Sequence, residues 1–269
     1  MPHLSTICDF LRRLAPLELA ESWDNVGLLV GDPQRPVSRA MTCLTITPAS
    51  ADEAVAERAD LVVTHHPLPF QPLVRLTTET TPGRLLLKLI GAGIAVYSAH
   101  TAFDSAEAGI NQRLAEGIGL TGIGPLVPLL AEGSDSPTPG SLGSGRVGNL
   151  ADAATLADVA QFLTSFLGLV GVRAVGSPDR PVARVAVACG SAGQFITAAR
   201  DADCQALVTG ETSFHTCLEA EALGVALLLA GHYASERFAQ EHLATALAEA
   251  FPDVTVWASR REYDPLRWL

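Results

Sequence analysis

The sequence predicts an α/β protein with largely parallel sheets, arranged as two similar lobes. Three observations carry that expectation. Short apolar runs of strand length alternate with longer amphipathic runs of helical spacing, over and over. Thr-Pro pairs open two of the helical runs and glycines close several of them, the usual punctuation of helix ends. One stretch, "EGSDSPTPGSLGSG" (132–145), holds only Gly, Ser, Pro and acidic residues apart from a single leucine and a threonine, and reads as a flexible connection. It separates an N-terminal lobe expected over 1–131 from a C-terminal lobe expected over 146–269. A chain of 269 residues is long enough to bury such a core without disulfides.

Taken in order, residues 4–14 carry apolar side chains at helical spacing, with Ser5 or Thr6 as a cap. "AMTCLTI" (40–46) is a strand, and Thr47-Pro48 cap and open the helix that follows. "LVVT" (61–64) is a strand, 81–93 a helix, "IAVYSA" (94–99) a strand and 105–117 a helix. After the interruption, 155–168 is an amphipathic helix, and "VRAVG" and "VARVAVACG" are strands. Helix 193–204, strand "QALVTG", helix 212–224, strand "VALLLAG", a long helix over 234–251 and the strand "VTVWA" complete the chain.

Composition narrows the function. The formal charge is −11, with 29 acidic against 18 basic residues, and Lys88 is the sole lysine. With no basic block, a general electrostatic grip on nucleic acid or on an anionic membrane is not expected. The five cysteines form no CxxC pair, which suits a reducing compartment; Cys43, Cys189 and Cys217 lie in apolar stretches and read as small buried hydrophobes. No signal pattern opens the chain, and its longest aliphatic run is too short to span a bilayer, so a cytoplasmic protein is expected.

The chemistry gathers where strands end, because the loops there open onto the crevice of an α/β sheet. Three short strands finish in histidine: "LVVTHH", "IAVYSAH" and "VALLLAGH". These supply His65, His66, His100 and His232, four of the seven histidines. Pro67 stops the first strand, which lets both His65 and His66 turn to one side. Adjacent imidazoles do not chelate one ion comfortably; they suit two ions about 3.5–4 Å apart. Asp104 follows His100 by four residues and reads as a bridging carboxylate, as a helix cap, or as both. His232 and Glu236 lie one helical turn apart and form a clamp for a divalent ion. Mixed imidazole and carboxylate donors suit zinc, manganese, iron or cobalt better than calcium or magnesium. The donors come from both sides of the Gly/Ser/Pro stretch, so the expected site lies between the lobes.

Five segments, in this order, give the chain a resemblance to a known family: "ESWDNVGLLVGDP", "ADLVVTHHPLPF", "HTAFDSAEAGIN", "TGETSFHTCLEAEALG" and "AGHYASERFA". It resembles the Nif-three-like proteins, dinuclear-metal proteins that carry the name GTP cyclohydrolase I type 2. The resemblance implies that His65, His66, Asp104, His232 and Glu236 hold two divalent metal ions, in agreement with the spacing. It also implies two similar lobes, a homohexamer, and a short form without the middle domain some members insert. Members often have aspartate where this chain has Thr45. The implied activity is hydrolysis of a nucleotide, GTP in the named case. His100 or His215 is expected to move the proton, because an imidazole titrates near the working pH. A protein that stores or delivers metal, a scaffold, or a phosphoesterase using the same ions are the alternatives.

Overall fold

The computed structural model describes residues 1–129 and 142–267. In chain order the elements begin α1 (Leu4–Leu14), β1 (Gly27–Val30), β2 (Arg39–Cys43), α2 (Pro48–Ala56), β3 (Leu61–Thr64), α3 (Thr81–Gly91) and β4 (Ala95–Ser98). They continue α4 (His100–Ser105), α5 (Ile110–Gly117), β5 (Thr121–Gly124), β6 (Val127–Pro128), β7 (Gly143–Ser144), β8 (Arg146–Thr155), α6 (Leu156–Leu167) and β9 (Arg173–Val175). The last are β10 (Pro181–Ser191), α7 (Ile196–Asp201), β11 (Ala206–Glu211), α8 (Phe214–Leu223), β12 (Ala226–Leu229), α9 (His232–Arg237), α10 (Ala239–Ala250) and β13 (Thr255–Ala258).

Two compact units result. Unit 1 is Met1–Phe103 with Ala239–Leu269, and unit 2 is Asp104–Phe238. This differs from the division expected at 132–145, because the C-terminal segment returns to the first sheet: β13 pairs parallel with β2, Val256 opposite Ala40. Most of the Gly/Ser/Pro stretch, 132–141, lies outside the described residues. Gly143 and Ser144, at its end, form β7 and pair with β6.

The sheet of unit 1 runs β1-β4-β3-β2-β13. Its last four strands are parallel, and β1 joins the edge antiparallel to β4. One face packs Met41, Cys43, Val62 and Val96 against Ala51, Ala54, Leu85, Leu86 and Leu89 of α2 and α3. Thr47 caps α2 reciprocally with Ser50 and Pro48 opens it, as the sequence indicates; for α3 the capping side chain is Thr80.

Glu53 of α2 fastens the end of the chain. Its buried carboxylate accepts hydrogen bonds from Ser259 Oγ (2.7 Å), Arg260 N (3.0 Å), Arg261 N (3.0 Å) and Trp257 Nε1 (3.2 Å). Burial alone would push its carboxyl up; these donors outweigh it and hold it below its usual value. A depressed folded pKa stabilises the fold above the unfolded value, and the contribution is lost as pH falls through the folded one. Glu53→Gln is therefore expected to cost about 1–3 kcal/mol at pH 7. Thermal melts should show the gap from wild type narrowing below about pH 4.5, the carboxyl's ordinary value; a gap independent of pH rules the carboxylate charge out.

In unit 2 the sheet runs β5-β8-β10-β11-β12-β9. Its centre, β10-β11-β12, is parallel, while β8 and β9 flank it antiparallel and β5 pairs antiparallel with β8. Alternate residues serve opposite faces: Val185, Val187 and Val208 pack with Val159 and Leu163 of α6, whereas Ala186, Ala188 and Leu207 pack with Ile196 and Ala199 of α7. The helix expected over 234–251 is broken at Phe238 into α9 and α10, where the chain passes back to unit 1. No helix among the described residues is long and apolar enough to cross a membrane.

Candidate metal centre

Unit 1 brings three imidazoles together at the carboxyl ends of β3 and β4. β3 ends at Thr64, and the two following rings lie side by side, 5.0 Å apart at centroids, as the proline stop requires. The His100 ring stands edge-on to both, 5.2 Å from His65 and 5.5 Å from His66. One nitrogen from each lies within 4.8 Å of the others. His65 is buried, and Ser98 Oγ donates to its carbonyl at 2.6 Å. The His100 backbone sits at φ +27°, a region L-residues rarely adopt and one that clusters at functional sites.

Unit 2 gathers the acidic donors around the end of β10. Asp104 lies inside α4 rather than at a helix cap; the cap of α5 is Gly109. The Asp104 Oδ1 accepts from the Cys189 thiol at 3.2 Å. Asn111 fixes this arrangement from both sides: its Nδ2 donates to the Asp104 carbonyl at 3.1 Å, and its Oδ1 accepts from Cys189 N at 2.7 Å. Burial, then the charges of Asp104 and Glu236, push the Cys189 thiol well up. α9 begins at His232, so His232 Nε2 and Glu236 Oε2 meet at 3.2 Å with the expected spacing of one turn. Gly190 makes room for them: a Cβ there would fall 2.2 Å from Glu236 Oε1. The hydrogen bond to Glu236 is the main reason the His232 pKa is pushed up to about 9, against burial and with help from Glu211. A ring that draws a proton this strongly sits where a cation is favoured, and a metal ion would take over the same charge balance.

Three of the histidines share a further device that no local motif reveals. Each has Nδ1 against a side-chain oxygen: His66 on Thr45 Oγ1 at 2.6 Å, His100 on Asp24 Oδ1 at 2.7 Å, His232 on Glu211 Oε1 at 2.9 Å. Metal-binding imidazoles are oriented this way, one nitrogen held by an oxygen and the other offered to the ion. Asp24 is itself anchored, accepting from Thr101 N (3.1 Å), Thr101 Oγ1 and Asn25 N (2.8 Å). Burial would raise its carboxyl, but His100 first and then Thr101 and Asn25 hold it below its usual value. At Thr45 a neutral hydroxyl makes the contact to His66. Glu262 accepts from the N–H groups of Leu44 (2.9 Å) and Thr45 (3.3 Å), which fixes that turn. His215 is exposed in the first turn of α8, its ring 5.8 Å from that of Phe214.

A pair of α/β units carrying histidine and carboxylate clusters at strand ends defines a class of candidate metal-binding proteins. The chain belongs to the Duf34/NIF3 (NGG1p interacting factor 3) family, whose model matches residues 2–265. It is 37% identical over 239 residues to a GTP cyclohydrolase 1 type 2 homolog of Streptomyces coelicolor, covering 88% of this chain and 82% of that one. A GTP cyclohydrolase 1 type 2 homolog of Clostridium perfringens is 30% identical, with 99% of both chains covered. The crystal structure of Staphylococcus aureus protein SA1388 matches with a TM-score of 0.88 at 26% identity, over 100% of this chain and 99% of that one.

Proposed function

We propose that the chain is a metal-dependent hydrolase acting on a small nucleotide, with GTP the first candidate and opening of the guanine imidazole ring, with release of formate, the reaction. His65, His66, Asp104, His232 and Glu236 would hold two divalent ions of the zinc, manganese, iron or cobalt type. The observation that carries this is the donor chemistry: imidazoles oriented at Nδ1 by fixed oxygens, and a buried glutamate paired with one of them. When bound, the ions supply Lewis acidity that brings water's pKa toward neutrality. His100, which Asp24 orients and which adjoins His65 and His66, would take or return the reaction's proton. His215 is the second candidate for that role. The names of the relatives support the nucleotide reading. A cytoplasmic homohexamer that does not act on nucleic acid or membranes belongs to the same proposal.

Metal analysis and a formate assay test it together. The purified protein, supplemented with each of the four metals, is expected to hold about two ions per chain. It should release formate from GTP, stop on chelation, and recover when metal is restored. Fewer than about one ion per chain counts against the centre. Bound metal without turnover on GTP, but with turnover on phosphate esters, favours the phosphoesterase alternative; no turnover on either favours a metal-handling protein or scaffold.

A further inference from the structure

The "SWDN" turn and the "PLPF" turn each carry a large aromatic that the fold leaves in water. Trp23 is 56% exposed and Phe70 46% exposed, although both adjoin the imidazole cluster of unit 1. Their rings are 5.9 Å apart with a 48° tilt, and each lies 6.0 Å from the His100 ring. These are spacings at which aromatic rings attract one another. The two turns are also tied to each other and to α4. Asn25 Nδ2 donates to the Pro69 carbonyl at 2.8 Å, Glu21 N donates to Thr101 Oγ1 at 3.0 Å, and Asp24 joins the turn to His100 and Thr101. Exposed aromatics on pinned turns present an apolar face whose ordering cost was met on folding.

We infer that Trp23 and Phe70 form a platform that stacks the planar heteroaromatic ring of the substrate beside His100. This rests on the hydrolase reading for the identity of the neighbouring site. Stacking on aromatic side chains tolerates any base, because every base has a π-face. A cationic ligand would also suit aromatic faces, but the charge of the two proposed metal ions would oppose it. An anionic nucleotide does not meet that objection: its base would stack while its phosphates would be drawn to the ions.

Calorimetric titration of the metal-loaded protein with GMP, and with ribose 5-phosphate as the base-free probe, tests the platform without relying on turnover. GMP is expected to bind more tightly than ribose 5-phosphate and to quench tryptophan fluorescence. Trp23→Ala and Phe70→Ala should each weaken GMP binding by about tenfold or more, the range for one lost stacking partner. Ribose 5-phosphate affinity and metal content should stay as in wild type. Trp23→Phe keeps a ring on the same turn and should restore most of the affinity. GMP affinity unchanged in both alanine variants overturns the platform. So does equal binding of the two probes, or a change only in the mass of the assembly, which would mean the rings cover another copy of the chain. Ring-dependent GMP binding without formate release from GTP would leave the platform standing and remove the ring-opening reading. Formate release with unchanged GMP affinity in both alanine variants would do the reverse.

Discussion

Gly190→Ala is expected to cost about 2–4 kcal/mol of stability and most of the metal proposed to bind, although it adds one methyl group. Two effects combine. Gly190 has φ +66°, where an L-residue is strained by about 1–2 kcal/mol. The new Cβ would also lie 2.2 Å from Glu236 Oε1, well inside contact distance. Glu236 cannot simply swing away: its side chain is 4% exposed, and the neighbouring Ser235 Oγ accepts from Gly190 N at 3.0 Å. Gly168→Ala separates the two effects. Gly168 ends α6 at the same φ of +66°, but nothing lies within 4 Å of its would-be Cβ. It should show the backbone strain alone, with metal content unchanged. Thermal melts and metal analysis of both variants decide the matter: if Gly190→Ala behaves like Gly168→Ala, the glycine is not there to seat Glu236.

Arg146→Met should be the most destabilising single change in unit 2, by about 3–5 kcal/mol, or roughly 10 °C in Tm. Arg146 is completely buried, and every N–H of its guanidinium is used. Nη1 donates to the carbonyls of Gly143 (2.9 Å) and Gly145 (2.7 Å), Nη2 to those of Ser105 (3.1 Å) and Ala106 (2.6 Å), and Nε to Gln112 Oε1 (3.0 Å). Burial pulls its pKa down to about 10, which still leaves it charged at neutral pH. Methionine fills much of the space but leaves five acceptors without these donors, and an unsatisfied buried acceptor costs about 1–3 kcal/mol. Lysine is expected to recover only part of the loss, because it brings a point charge instead of a planar fork. A melting temperature within 2 °C of wild type for Arg146→Met would mean that water or a backbone shift satisfies those carbonyls. Since Ser105 and Ala106 directly follow Asp104, metal content is a second readout.

The histidine positions were legible because strand ends have a local signature: a short apolar run, then a polar residue, then a turn former. The i, i+4 spacing of His232 and Glu236 and the proline stop after His66 were local as well, and the geometry within each unit agrees with them. What orients the rings was not legible. Asp24 meets His100 across 76 positions, and Thr45 meets His66 across 21; no periodicity encodes such pairings. "SWDN" carries no chemical pattern until its aspartate is seen on His100. Glu211 is the partial exception, since a carboxylate ending β11 stands at a place where such groups gather, and that signal could have found it. Edge strands were missed for another reason: β1 and β5 are four residues each, and β5 is half glycine and largely outside the core. The membership of β13 was invisible too, because "VTVWA" reads as a strand without saying which sheet it completes.

That last strand bears on how the polypeptide is made. A ribosome produces residues 104–238, the whole of the second unit, before Thr255–Ala258 can reach the open side of β2. Until then Met41 and Thr42 line a parallel edge whose ladder groups have no neighbour on that side, and Glu53 waits for the backbone that will bond to it. The nascent first unit thus remains incomplete through synthesis of the second, and its sheet closes only after the second unit has left the ribosome.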